Sequence, residues 1–352
     1  MNKENEHARY MQRCLDLAIQ GLGTTYPNPL VGSVIVWKDK IIGEGFHHRS
    51  GEPHAEVLAI RSVKNRDLLK KATLYVNLEP CSHYGKTPPC ADLIVKTGIP
   101  RVVVGTLDTT EKVQGKGIRK MQEGGVEVIT GVLEQASRFV NRRFFTYHEK
   151  KRPYIILKWA ESVDGYLDEE RTDGQQVPNW ISGPLGRQLV HKWRSEEQAI
   201  LIGRKTALID NPALTAREWY GRNPLRLVID RELTLPSNLQ LFDDEAPTII
   251  FNNLREEKHT HPEPVRIDFN KPVIPQITEE LYSRQIQSLI VEGGAYTLRQ
   301  YIESGMWDEA RVFKGNRYFY AGVKAPVLKR QPSGIFHTGD STYHLFFNDT
   351  YL

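Results

Sequence analysis

Two short stretches of the chain carry residue types that could do chemistry together. EPHAEVLAI at residues 52–60 sets His54 and Glu56 on either side of one alanine. LEPCSHYGKTPPC at 78–90 sets Cys81 and Cys90 with eight residues between them. Zinc takes imidazole and thiolate ligands tetrahedrally, and a catalytic zinc keeps its fourth position for water. His54, Cys81 and Cys90 supply three donors and leave that position. Glu56 would then stand near the metal but not on it, where a carboxylate can take a proton from activated water and pass it to a leaving amine. A purely structural zinc module would give Glu56 no role. It would also need a fourth protein ligand, for which His83 is the local candidate.

Such a site needs a helix to hold His54 and Glu56 and a strand to deliver Cys81. HAEVLAIRSVK reads as that helix and ATLYVNLEP, β-branched and aromatic, as that strand. CADLIVKTG is a short helix ended by Gly98. It puts Cys90 at a helix N-terminus, where the dipole favours thiolate. Around these, ARYMQRCLDLAIQG (8–21) has helical spacing, and VGSVIVWKDKIIGEGF is a hairpin turning at Lys38-Asp39-Lys40. RVVVGT, GKGIRKMQEGG and VEVIT follow as strand, helix and strand. Alternation of this kind predicts an α/β layer with a mostly parallel sheet.

HEKKRP at 148–153 has the composition of a linker. A second strand–helix series follows it, from YIILKWA through GPLGRQLVHKW, AILIG, PLRLVID, TIIFNN, TEELYSRQ, SLIVEGG and YTLRQYIESG to EARVFK. Residues 253–275, polar and proline-containing, read as a surface excursion. The expected organisation is two α/β domains, 1–148 and 149–352, which suits a chain of 352 residues.

Forty-seven basic against 43 acidic residues, a net charge of +4, is too mild to imply nucleic acid or a membrane surface. No apolar run approaches the ~20 residues that span a bilayer, and the first 25 residues lack the apolar core of a secretory signal. Three cysteines make no disulfide framework, so the cytoplasm is the expected compartment. Nothing opposes a homo-oligomer.

The His-x-Glu and Pro-Cys pattern is that of zinc deaminases. TTYPNPLVGSVIV, SGEPHAEVLAI and LEPCSHYGKTPPC together resemble the deaminase half of the bifunctional riboflavin-biosynthesis deaminase/reductase family. The long inter-cysteine segment separates that family from cytidine deaminases and tRNA adenosine deaminases. The resemblance implies a cytidine-deaminase-like three-layer α/β/α domain with one zinc per chain. The implied substrate is 2,5-diamino-6-ribosylamino-4(3H)-pyrimidinone 5′-phosphate, deaminated at its 2-amino group. It makes His54, Cys81 and Cys90 the zinc ligands and Glu56 the proton carrier, with Asn28, His47, His83 and Lys86 as substrate contacts. An amide can read a pyrimidine edge, while imidazole and ammonium can donate to hydroxyls or phosphate.

The likeness runs on through LKWAESVDG, RKTALIDNPALTAR and LIVEGGAYTL, and so covers nearly the whole chain. There it implies a dihydrofolate-reductase-like α/β domain that reduces the ribosyl group of the deaminated product to ribityl with NADPH. Ala160, Trp180, Thr206, Asp210 and the stretch from Gly294 match the family's cofactor positions. Arg194, Leu214, Arg217 and Glu292 match its substrate positions. Paired arginines suit a phosphomonoester, although Arg194 in HKWRSEE fits a solvated helix face equally well. EGGAYTL is not the Rossmann G-x-G-x-x-G fingerprint, and by itself a Gly-Gly pair is more often a tight turn. The chain departs from the family in a long charged segment before Trp180, in Pro178, and in Arg231 where a small residue is common.

Overall fold

The computed structural model describes residues 3–82, 84, 88–110, 114–170 and 180–348. The chain divides between Lys150 and Lys151 into two compact units. The expected linker at 148–153 is therefore shorter than its composition suggested, because helix runs as far as Lys150.

In the first unit, in chain order, lie α1 (Lys3–Ala18), β1 (Gly32–Trp37), β2 (Lys40–Phe46), α2 (Ala55–Ser62), β3 (Thr73–Leu78) and α3 (Cys90–Thr97). They are followed by β4 (Arg101–Thr106), α4 (Lys116–Glu123), β5 (Glu127–Thr130), α5 (Glu134–Val140) and α6 (Arg142–Lys150). The sheet order is β2-β1-β3-β4-β5. β1 pairs antiparallel with β2 and β3, while β3, β4 and β5 are parallel. The sheet is mixed rather than mostly parallel, because a tight hairpin precedes the first crossover. Lys38 and Asp39 both have positive φ (46° and 60°), the conformation that a two-residue hairpin turn demands.

Side chains alternate across the strands, so each face has its own core. Ile35, Leu74, Val76, Val102 and Val104 pack with Ala59 and Ile60 of α2, Ala91 and Ile94 of α3 and Met121 of α4. Val34, Val36, Tyr75 and Val103 pack with Met11, Cys14 and Leu17 of α1. Helices cover both faces, giving the three-layer α/β/α arrangement.

The second unit contains β6 (Tyr154–Glu161), β7 (Tyr166–Glu169), α7 (Pro184–Glu196), β8 (Ala199–Gly203), α8 (Arg204–Asp210), β9 (Leu225–Ile229) and β10 (Thr248–Asn252). Then come β11 (Glu263–Arg266), α9 (Val273–Ser283), β12 (Ser288–Val291), α10 (Ala295–Glu303), β13 (Glu309–Lys314), β14 (Gly322–Lys324), β15 (Gly334–Thr338) and β16 (Ser341–Phe347). A nine-stranded sheet runs β11-β10-β9-β8-β12-β6-β13-β16-β15, and β14 pairs with β7 in a separate ribbon. From β11 to β13 every pairing is parallel; β16 reverses against β13, and β15, antiparallel to β16, runs in the same direction as β13.

Alternation again builds two cores. Leu157, Leu201, Leu227 and Leu289 meet α9 and α10, and Ile156, Ile200, Val228 and Ile290 meet α7 and Ala207 of α8. The surface excursion expected at 253–275 in fact contains β11. Pro264 lies in it, which is tolerable because β11 is an edge strand. The parallel strands β6, β12, β8 and β9 end on the same side, where open α/β sheets bind ligands.

Candidate functional site

In the first unit the position of His54 follows from how closely α2 lies on β2. A Cβ on Gly45 would come within 2.6 Å of Leu58 Cβ, and one on Gly43 within 2.5 Å of the Ala59 carbonyl. Glycine at both places lets the helix settle onto the strand. His54 is the N-cap of α2, in extended conformation, and Glu56 lies buried in the first turn. Cys81 follows the end of β3, and Cys90 opens α3. The Cys90 backbone N–H donates to the Cys81 sulfur at 3.3 Å, and the Ala91 N–H donates to the Cys81 carbonyl at 3.2 Å. One helix terminus thereby orients both thiols.

His54 Nδ1 lies 3.5 Å from Cys81 Sγ and 3.3 Å from Cys90 Sγ, and the three donor atoms lie within 4.8 Å of one another. Tetrahedral zinc, with bonds of about 2.3 Å to sulfur and 2.0 Å to nitrogen, sets such ligand atoms roughly 3.5 Å apart. The donor set fits the metal in type, number and spacing. Hydrogen bonding from Cys90 outweighs burial and, joined by His54, lowers the Cys81 thiol well below its usual value. Burial, reinforced by Cys81, pushes the Glu56 carboxyl up to about 7 in the protein alone; a cation at the donor set would bring it down.

Asn28 and His47 join this group. Asn28 Nδ2 lies 3.0 Å from His47 Nε2, His47 Nδ1 faces the Pro53 carbonyl at 3.3 Å, and the His47 ring meets the His54 ring edge-on at 5.3 Å. Burial lowers the His47 pKa. A neutral His47 that donates from Nδ1 accepts the Asn28 amide at Nε2. The expected contacts His83 and Lys86, and the departure at Pro178, lie outside the described residues.

Sequence reasoning missed three side chains here. Asn77 and Asn141 both donate to the Leu30 carbonyl, at 3.0 and 2.9 Å, and so fix the backbone next to Asn28. Glu79 is buried and accepts from the backbone N–H groups of Asp108, Gly115, Gly117 and Ile118 at 3.0–3.4 Å. It ties the start of α4 to the turn that carries Cys81. A polar residue within an apolar strand (Asn77) and the glutamate of LEPC were the available signals.

In the second unit a cleft of about 1150 Å³ is lined by all nine residues expected there, Ala160, Trp180, Arg194, Thr206, Asp210, Leu214, Arg217, Glu292 and Gly294. Gly203 and Gly294 let the β8–α8 and β12–α10 turns pack together. A Cβ on Gly203 would come within 2.8 Å of Thr297 Oγ1, and one on Gly294 within 3.1 Å of Thr206 Oγ1. Gly294 is also the N-cap of α10, so the cleft meets a backbone suited to phosphate oxygens. Size, glycine turns and helix start fit a dinucleotide.

Arg194 is not a solvated helix residue. It is buried and grips the Glu292 carboxylate at 2.8 and 3.2 Å, while its Nη1 donates to the Thr215 carbonyl at 3.3 Å. Burial alone would raise Glu292, but Arg194 and Lys158 together bring it down to about 2. Lys158, 3.6 Å from Glu292, was not anticipated. Burial lowers its pKa, with Glu292 opposing. A lysine inside the apolar strand YIILKWA was its signal. Leu214 is buried at φ +57°, a strained conformation for a branched side chain. The Thr215 carbonyl beside it also accepts from His191 Nδ1, at 2.9 Å, and that hydrogen bond helps hold the turn. Arg217 stands exposed at the rim.

Two family models match the chain. Residues 4–106 match the cytidine and deoxycytidylate deaminase zinc-binding region, and residues 153–315 match the RibD C-terminal domain. The riboflavin biosynthesis protein RibD of Aquifex aeolicus is 40% identical over 312 residues, covering 86% of this chain and 85% of the relative. The protein of the same name from Escherichia coli K12 is 36% identical over 323 residues, covering 86% of each. A crystal structure from Thermotoga maritima superposes with a TM-score of 0.88 at 36% identity, covering 98% of this chain and 99% of that one. It is described as a diaminohydroxyphosphoribosylaminopyrimidine deaminase/5-amino-6-(5-phosphoribosylamino)uracil reductase.

Proposed function

Because the chain belongs to the RibD family of bifunctional riboflavin-biosynthesis enzymes, a deaminase joined to a reductase, we propose how its two units divide the work. The unit ending at Lys150 deaminates 2,5-diamino-6-ribosylamino-4(3H)-pyrimidinone 5′-phosphate. The unit from Lys151 reduces the ribosyl group of the resulting uracil to ribityl, with NADPH. The observation that carries the reading is the convergence of His54, Cys81 and Cys90 on one point beside buried Glu56.

His54, Cys81 and Cys90 would hold zinc, which when bound supplies the Lewis acidity that makes water a nucleophile near neutral pH. Glu56 accepts a proton from the attacking water and returns it to the amino nitrogen, which leaves as ammonia. Asn28, its amide oriented by His47, reads the pyrimidine edge. His83 and Lys86 remain assigned to the substrate from the inter-cysteine segment.

In the cleft, Ala160, Trp180, Thr206, Asp210 and Gly294 would hold NADPH, which supplies the hydride. Arg194, Leu214, Arg217 and Glu292 take the sugar phosphate, with Arg217 on its anionic end. Lys158 is placed to give a proton to the ring oxygen that opens as C1′ is reduced, because burial loosens its proton while Glu292 keeps it oriented. Among the described residues no helix is long and apolar enough to cross a membrane. Three free cysteines and a nicotinamide reductant suit the cytoplasm, where we place the enzyme.

The test is to incubate purified protein with the diaminopyrimidine phosphate, with and without NADPH, and to follow products by mass. The expected result is the deaminated product alone without NADPH and the ribityl product with it. An unchanged substrate would overturn the reading.

A further inference from the structure

Along α7, Arg187, His191 and Arg194 stand on successive turns of one helix face, and all three line the cleft. Arg194 is engaged with Glu292. His191 is only partly engaged. Its side chain is 5% exposed, and Nδ1 lies 2.9 Å from the Thr215 carbonyl. A carbonyl only accepts, so Nδ1 carries the hydrogen, and Nε2 holds the lone pair when the ring is neutral. Nε2 makes no hydrogen bond among the described residues. Glu218 Oε1 faces it at 3.7 Å, beyond hydrogen-bond length, on a side chain that is 39% exposed and can turn into solvent.

The turn opposite His191 carries an uncommitted cation of its own. Thr215 accepts from both His191 and Arg194, and Asn223 Oδ1 holds the Ala216 N–H at 2.9 Å. The 214–217 turn is therefore fixed against α7. It ends in Arg217, whose guanidinium has neither an ion pair nor a hydrogen bond among the described residues. One end of the cleft thus offers an unused guanidinium and an unused imidazole nitrogen, with a carboxylate oxygen already facing the latter. Those groups together suit the oxygens of a phosphomonoester.

In the protein alone the ring is neutral near pH 7. Burial lowers its pKa most, Arg194 and Arg217 lower it further, and Glu218 and the Thr215 carbonyl oppose them. A phosphate dianion beside Nε2 reverses that balance, because an opposite charge at hydrogen-bond range favours the charged ring.

We propose that His191 is a further binding residue for the substrate's phosphate, donating to it from Nε2 beside Arg217 after taking up a proton as the phosphate arrives. This rests on the reductase function proposed above. One N–H bond forms at Nε2 and solvent supplies the proton, so substrate affinity depends on pH. Below the pKa of the free protein the ring is already charged and the dependence vanishes. Above the pKa of the complex the proton is gone and the contact with it. Between the two, affinity falls by up to about tenfold per pH unit. A phosphomonoester loses its own second proton near pH 6, so its titration is largely complete above about pH 6.5.

The experiment follows initial NADPH oxidation by the full-length protein against varied deaminated substrate, from about pH 6.5 to about pH 8.5. Wild-type substrate KM should rise about tenfold across that range. His191→Asn keeps a donor for the Thr215 carbonyl but cannot titrate. Its KM should be raised about tenfold at the acidic end, the scale of one charge-assisted contact, and should approach wild type at the alkaline end. Its kcat should stay within about twofold of wild type throughout, as expected for a contact equally strong in ground and transition states. Lys158 is present in both proteins, so its titration cancels from the comparison, and an unchanged KM for NADPH shows the cleft intact. Parallel KM profiles in the two proteins overturn the proposal. So does a wild-type KM that stays level across the range, a result that needs no variant to fold. NADPH oxidation that is present but indifferent to His191 leaves the reductase assignment standing, whereas no oxidation with authentic substrate removes both.

Discussion

Glu292 holds the Arg194 guanidinium at 2.8 and 3.2 Å across 98 residues of sequence. The pair joins the end of β12 to α7 inside the cleft, and both side chains are nearly buried. Removing one partner of such a pair leaves an uncompensated buried charge, at a cost of about 3–5 kcal/mol. Glu292→Gln should therefore destabilise the second unit by that amount. Five of the six tryptophans lie beyond Lys151, so urea unfolding followed by tryptophan fluorescence reads mainly this unit. A loss below about 1 kcal/mol would mean the pair contributes little.

The same carboxylate gives a pH dependence. Its folded pKa of about 2 lies below the ordinary carboxylate value. The folded state therefore binds this proton less readily than the unfolded state. The stabilisation is complete above about pH 5 and is lost as pH falls toward 2, for a total of about 3 kcal/mol. Wild type should lose more stability than Glu292→Gln between pH 6 and pH 3. Parallel losses in the two proteins would place the acid sensitivity elsewhere.

Glu56→Gln should keep the metal and the fold but slow deamination by roughly 10²–10⁴-fold, the usual scale for a positioned acid/base. Reduction of supplied deaminated substrate should continue at the wild-type rate, because that step uses no water. Ammonia release close to wild type would remove Glu56 from the proton path.

Metal removal should separate the two activities. Chelation should abolish ammonia release and spare NADPH oxidation, and one equivalent of zinc per chain should restore the loss. Cys81→Ser and His54→Ala should each lower bound zinc well below one per chain by elemental analysis. Full zinc content in either variant would point to other ligands.

Arg217→Ala should raise the substrate KM by roughly 10–100-fold with little change in kcat, if its contact with the phosphate is equally strong in ground and transition states. Asp210→Ala should raise the KM for NADPH instead. Initial NADPH oxidation against varied substrate and varied cofactor distinguishes the two. An unchanged substrate KM in Arg217→Ala would move the anionic end to Arg194.

What the sequence determined by itself was local. Helix period, strand alternation and the Lys38-Asp39 turn depend on neighbours within a few residues, and they were legible as such. The zinc donors were legible for a related reason. His54 and Glu56 share one helical turn, and Cys90 opens another helix, so chemistry and element boundary coincide. The parallel run from β6 to β9 was expected as a class, but its strand order was not, because periodicity says nothing about which strand lies beside which.

That order is what only the tertiary structure decided. It brings Lys158 on β6 to Glu292 at the end of β12, and Arg194 to the same carboxylate, so a lysine in an apolar strand and an arginine on a polar helix face become one buried cluster. It also turns Asp230 inward while Arg231, its neighbour in sequence, faces the cleft. Adjacent residues at a strand end point to opposite sides, and which side holds ligand depends on the packing of the whole sheet.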